Sequence, residues 1–175
     1  VLKKFILKQP LSADLPFAEG YVLPIDKPLG WTSSDVVRKI KVIMRRLGHR
    51  KIKVGHAGTL DPLATGVLIV CLGRATKQAE ALQAQPKEYL TTLALGATTP
   101  SFDMEHPVDR TFPYEHITRQ MLEEALRAME GEQMQLPPVY SAKSIDGKRA
   151  YEYARQGTEV EMRRAPVTVL SLIHI

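Results

Sequence analysis

The 175-residue sequence predicts an α+β domain, and three observations carry that prediction. Apolar runs of strand length are mixed with amphipathic helical patterns, without the regular strand, helix, strand succession of a doubly wound sheet. Hydrophobic residues make up 44% of the chain, enough for one ordinary domain with a core. Charged residues stand at 25% and aromatic ones at 6%, a balance that indicates neither disorder nor a coiled coil. With no repeat, low-complexity tract or clear linker, a single globular domain is expected.

The elements follow in chain order. After a loose N-terminal segment, YVLPIDKPLGW (21–31) reads as a short strand running into a turn marked by two prolines and a glycine. A helix comes next, capped by Ser33, Ser34 or Asp35, with Val36, Ile40, Ile43 and Leu47 on one face and Gly48 to end it. The glycine-rich stretch 55–66 is a loop, and VLIVCLG (67–73) has the length and β-branched content of a buried strand. EYLTTLALG (88–96) reads as another strand, and 96–113 as a long exposed loop rich in Thr, Ser, Asp and Pro. Thr118 caps a second helix whose apolar face is Met121, Leu122, Ala125, Leu126 and Met129, ended by Gly131. A turn is expected at Asp146 and Gly147, then a short helix closed by Gly157, then a strand in APVTVLSLIHI (165–175).

The formal net charge is +5, which favours an anionic partner without identifying it. Its distribution is more telling. No acidic residue lies between Asp35 and Asp61, while Arg38, Lys39, Lys41, Arg45, Arg46, Arg50, Lys51 and Lys53 are all basic. A solvated helix face usually mixes both signs, so this run points to a surface that faces phosphates.

Cys71, the single cysteine, has no partner for a disulfide or a zinc site and sits in an apolar run, as a buried thiol in a reducing compartment would. The first ten residues carry Lys3, Lys4 and Lys8 and make a poor signal peptide, and no apolar stretch approaches the roughly 18 to 20 residues of a membrane span. A cytoplasmic protein with no membrane partner is expected. The chain begins at Val1 rather than methionine, so a native start upstream is expected too.

The chemistry concentrates in GHAGTLDPLATGVL (55–68). An aspartate before proline in a glycine-rich loop is ordinarily a turn former. Here Gly55, Gly58 and Gly66 also permit close approach of a ligand, Pro62 stiffens the chain directly after Asp61, and a strand follows to hold the loop. A fixed carboxylate beside a basic surface suits a covalent or acid-base step on a nucleic-acid sugar. Both readings stand on the residues alone. The other sites fit worse: His49 and His56 lie among basic residues that would repel a metal ion, and the glycines match neither a dinucleotide fingerprint nor a triphosphate loop. The GxSxG elbow of serine hydrolases is absent as well.

GHAGTLDPLATGVL closely resembles the catalytic motif of the TruB-type tRNA pseudouridine synthases. IDKPLGWTS upstream, with KEYLTTLALG and PPVYSAKSIDGKRAYEYARQG downstream, resembles the same family in the same order, from about Tyr21 to about Leu170. The resemblance implies a pseudouridine synthase fold, a mainly antiparallel mixed sheet flanked by helices, with residues 1–20 as an N-terminal extension and 21–175 as a partial catalytic domain. It implies isomerisation of uridine to pseudouridine at position 55 in the T loop of tRNA, by an enzyme that flips the base, needs no cofactor or metal and acts as a monomer. By motif match Asp61 is the nucleophile, His56 supports the flipped RNA, Tyr89 stacks on the extracted uracil, and Lys27 with Pro28 braces the catalytic loop. The basic helix, with Arg45 and Arg46, and the residues Lys143, Lys148 and Arg149 are expected to hold the phosphates of the T arm.

The family pattern also includes an arginine, further along than the match extends, that pairs with the catalytic aspartate. Without it this 175-residue chain is expected to have little or no activity and to expose apolar sheet edges. Two other readings accompany the enzyme: a catalytically inactive RNA-binding or tRNA-chaperone module of the same fold, and a basic scaffold with no RNA role.

Overall fold

A computed structural model of the chain describes residues 12–138, 140, 144–145, 147–150, 153, 156, 158 and 161–173. Helices combine with antiparallel strand pairs, the α+β class that the sequence predicts. The chain divides into two compact units, residues 1–90 and 91–175.

In the first unit, β1 (Tyr21–Lys27), β3 (Gly66–Leu72) and β2 (Val54–Ala57) form an antiparallel sheet in the order β1-β3-β2. β3 is central and covered on both faces, which explains why it reads as an unbroken apolar run. Leu68, Val70 and Leu72 pack on one face with Leu23 and Phe17 against Val36, Ile40 and Met44 of α1 (Ser33–Arg46). On the other face Cys71 packs with Val22 and Ala75, joined by Leu82 of α2 (Ala79–Gln83). Phe17, which lies before β1, is fully buried and stacks edge-on against Tyr21 and His49.

The helix cap differs from the expected Ser33, Ser34 or Asp35. Thr32 is the N-cap: its hydroxyl accepts from the Asp35 N–H while the Asp35 carboxylate accepts from the Thr32 N–H, a reciprocal capping box. Ser33 is thereby released for another contact. At the far end Gly48 (φ +88°) supplies the left-handed turn, its N–H donating to the Arg45 carbonyl and the His49 N–H to that of Met44. This is a complete Schellman cap, so Gly48 ends the helix as the sequence suggests.

Among its described residues the second unit holds three strand pairs and one longer helix. β4 (Ala97–Thr98) pairs with β5 (Arg110–Thr111), β6 (Gly131–Gln135) with β9 (Ala165–Val169), and β7 (Ser144–Ile145) with β8 (Lys148–Arg149). α3 (Arg119–Ala128) is capped by Thr118, whose hydroxyl accepts from the Met121 N–H, as expected. Its apolar side is only partly covered: Met121 and Met129 remain about half exposed. The hairpin turn falls at Gly147 (φ +82°), while Asp146 and Gly157 lie outside the described residues.

No strand forms over 88–96. The apolar residues are present, but no neighbouring strand supplies a ladder among the described residues, and Leu90 and Leu93 stay 86% and 71% exposed. A strand is a pairing, and apolar periodicity alone does not supply the partner.

Candidate active site

Asp61 sits in the loop 58–65 that joins β2 to β3, and both of its chain neighbours are tied down. On one side the Ser33 hydroxyl donates to the Leu60 carbonyl and accepts from the Leu60 N–H, both at 3.0 Å. On the other, the Pro62 carbonyl accepts from the Gly30 N–H at 2.8 Å and from the Lys27 ammonium at 3.4 Å. The Ala64 N–H closes a turn onto the Asp61 carbonyl at 3.0 Å. The backbone of Asp61 is therefore held from α1, from β1 and from within its own loop, a preorganised mount for one side chain.

The carboxylate itself is exposed, and no hydrogen bond or ion pair engages it among the described residues. An exposed carboxylate without a protein partner carries oxygen lone pairs open to an electrophile or a proton. His56, on β2 opposite Val70, is half-buried and its Nδ1 meets the Gly58 carbonyl. A carbonyl can only accept, so Nδ1 carries the proton and Nε2 is the nitrogen left to face a ligand. Gly58 and Gly66 have φ of +93° and +113°, so the loop enters and leaves through backbone conformations that favour glycine.

Lys27 is completely buried. Its ammonium donates to the carbonyls of Pro28 (3.1 Å), Trp31 (2.6 Å) and Pro62 (3.4 Å), which use its three N–H bonds. The ammonium thus ties the end of β1 to the turn at 28–31 and to the residue after Asp61. Tyr89 lies in irregular chain after α2 and is 72% exposed.

Arg45 and Arg46 are exposed in the last turn of α1 with no acidic partner among the described residues. They are not beside Asp61: Ser33 touches the loop, and twelve further residues at 1.5 Å each put Arg45 about 18 Å away along the helix. Lys148 is exposed on β8, its ammonium 5.7 Å from the Tyr153 ring centre. Arg149 pairs with Ser144 in the same hairpin, and Lys143 lies outside the described residues.

A feature that sequence reading missed lies at the opposite end of the sheet from Asp61. A cavity of about 720 Å³ is lined by Arg50, Lys51 and Lys53 together with Arg74 and Lys77, with no acid in its wall. None of the five cations has an ion pair among the described residues. The first three belong to the basic run, but Arg74 and Lys77 join them only because β3 pairs with β2, which brings Leu72 beside Val54. Ser33 was missed likewise, since nothing local distinguishes a capping serine from one that clamps a loop 27 residues on. No group of three or more His, Cys, Asp or Glu among the described residues could hold a metal, and none of their helices is long and apolar enough to cross a membrane.

Comparison with known proteins matches residues 45–175 to the TruB family pseudouridylate synthase (N terminal domain). The chain is 61% identical over 148 residues to tRNA pseudouridine synthase B of Phocaeicola vulgatus, covering 84% of this chain and 63% of that protein. It is 57% identical over 148 residues to the protein of the same name from Bacteroides fragilis (84% and 64%), and 48% over 155 residues to that of Flavobacterium johnsoniae (87% and 68%). The chain thus spans slightly under two thirds of the length of the first two relatives. With the GHAGTLDP loop mounted as described and the family match covering most of its residues, the chain belongs to the TruB family of pseudouridylate synthases.

Proposed function

We propose that this chain is the part of a tRNA pseudouridine synthase that holds the target uridine and attacks it, acting on position 55 in the T loop. The observation that carries the reading is Asp61: an exposed carboxylate with no protein partner among the described residues, on a loop anchored on both sides by Ser33, Gly30 and Lys27. A side chain kept mobile would need no such mount.

Asp61 acts as the nucleophile on the ribose or the base. The bond from N1 of uracil to C1′ breaks, the uracil turns in place, and a bond from C5 to C1′ forms; C5 loses its hydrogen and N1 gains one, so the reaction is an isomerisation. Because the leaving group stays bound, one dominant carboxylate suffices where hydrolytic glycosidases use two. The target must first be swung out of its stack, which costs about a few kcal/mol. His56 supports that conformation, and Tyr89 offsets part of the cost, since a base stacked on an aromatic ring is worth about 1 to 3 kcal/mol. Arg45, Arg46, Lys143, Lys148 and Arg149, joined by the cations around the cavity, contact phosphates of the T arm. The enzyme works in the cytoplasm as a monomer, without metal or cofactor.

The test is release of tritium from C5 of labelled uridine in a T-arm transcript, using these 175 residues continued with the remaining third of a relative. Asp61→Asn is expected to abolish release while T-arm binding persists. Retained turnover would remove Asp61 from the nucleophile's role, and an unmodified transcript with the parent chain would leave only the RNA-binding reading.

A further inference from the structure

Beside the Asp61 loop lies a second cavity, of about 400 Å³, on the flank of α1. It is lined by Gly30, Trp31, Asp35, Arg38, Lys39 and Val42. Gly30 is the residue whose N–H holds the Pro62 carbonyl, so Trp31 stands one residue from a direct contact with the neighbour of Asp61.

Trp31 is the only tryptophan of the chain. Its backbone is fixed at both ends: the N–H donates to the Pro28 carbonyl at 3.3 Å, and its carbonyl accepts from the buried Lys27 ammonium at 2.6 Å. Yet 39% of the residue remains exposed, and Val42, one of the other walls, is 42% exposed. An indole carried on a backbone held at both ends, and left partly open, offers a flat apolar platform. Of the charges around it, Asp35 is engaged by Thr32 and by Arg38, which leaves Lys39 without an acidic partner among the described residues. An aromatic platform beside an unneutralised cation is the combination that binds single-stranded nucleotides, the ring taking a base and the cation its phosphate. The volume lies in the range of about 300 to 1,000 Å³ typical of pockets for small ligands.

We infer that Trp31 and Lys39 form a second nucleotide-binding site beside the Asp61 loop, where a base neighbouring the target uridine stacks on the indole. The inference rests on the function proposed above, since it places the same RNA strand at both sites. It would make the enzyme read a short unstacked segment rather than a single extruded base.

Because the chain has one tryptophan, its fluorescence reports this site alone. Titrating the chain with a T-arm hairpin should quench the emission of Trp31 with the same midpoint as the anisotropy of the labelled RNA. Trp31→Ala should weaken binding by roughly 5- to 150-fold, whereas Trp31→Phe, which keeps a stacking face, should hold most of the affinity. Lys39→Gln should flatten the dependence of log affinity on log salt by roughly one. Hairpin binding without quenching, or equal affinity of Trp31→Ala and the parent, overturns the Trp31 site and leaves the proposed function standing. No preference for the T-arm hairpin over a scrambled one overturns the function reading itself. Quenching by both hairpins would then mark Trp31 as a site for unspecified RNA and overturn its place beside a target uridine.

Discussion

At the scale of single residues, the Asp61 loop depends on groups that are not in it. Lys27 is the clearest case, a buried cation whose three donors meet three carbonyls from two segments of chain. Replacing it by methionine keeps the length of the stem and removes the ammonium. The loss leaves partly buried carbonyls without a donor, and Lys27→Met is expected to destabilise the fold by about 1 to 3 kcal/mol, read as a lower midpoint in urea. Because the brace ends on Pro62, turnover should fall further than RNA affinity does; equal losses in both would mean that Lys27 supports the fold generally rather than the loop. The resemblance gives Lys27 the part of a brace, but its sequence neighbours do not show which carbonyls its ammonium meets. The folded chain decides that.

At the scale of the element, α1 was legible from its period and its terminal glycine, and its cap was misplaced by one residue or more. Ser33, Ser34 and Asp35 are all good capping types, and sequence alone cannot tell which adopts the extended backbone of the N-cap. In the fold Thr32 does, and Asp35 completes the box. Hydrogen bonds from the Thr32 hydroxyl and N–H, and the Arg38 guanidinium beside it, lower the Asp35 carboxyl to about 2. A carboxylate with a depressed folded pKa stabilises the fold above its ordinary value, and that contribution disappears as the pH falls from near 4 toward 2. Asp35→Asn is therefore expected to flatten the fall in melting temperature across that window while leaving its acid slope elsewhere unchanged. A slope identical to the parent's would show that the box does not hold Asp35 ionised. The absent strand at 88–96 is the complementary lesson: its apolar residues suggested a strand, but a ladder requires a second strand, and that requirement is not local.

At the scale of the molecule, positive charge is gathered by folding more than by sequence. The run from Arg38 to Lys53 predicts a cationic surface, but only its residues up to Arg46 lie on α1, spread over about 12 Å of helix, and Arg50, Lys51 and Lys53 follow beyond its end. Pairing of β3 with β2 then adds Arg74 and Lys77 to Arg50, Lys51 and Lys53 around one cavity. If that cavity contacts RNA phosphates, Lys53→Gln combined with Arg74→Gln and Lys77→Gln should lower T-arm affinity and reduce the salt slope by roughly two to three, with thermal stability unchanged. An unaltered slope would place the RNA elsewhere on the surface.

The sequence by itself determined the α+β class, the central strand, the basic helix and the loop around Asp61, because each is written in periodicity, in glycine and proline placement or in a contiguous motif. Only the tertiary structure decided that Ser33 clamps Leu60, that Lys27 turns inward, that Arg45 stands apart from Asp61, and that Trp31, its backbone tied down, stays partly open beside it. The physical reason is common to all four. Each depends on contacts between segments that are distant in the chain or on the burial those contacts create, and neither leaves a mark on the residues nearby.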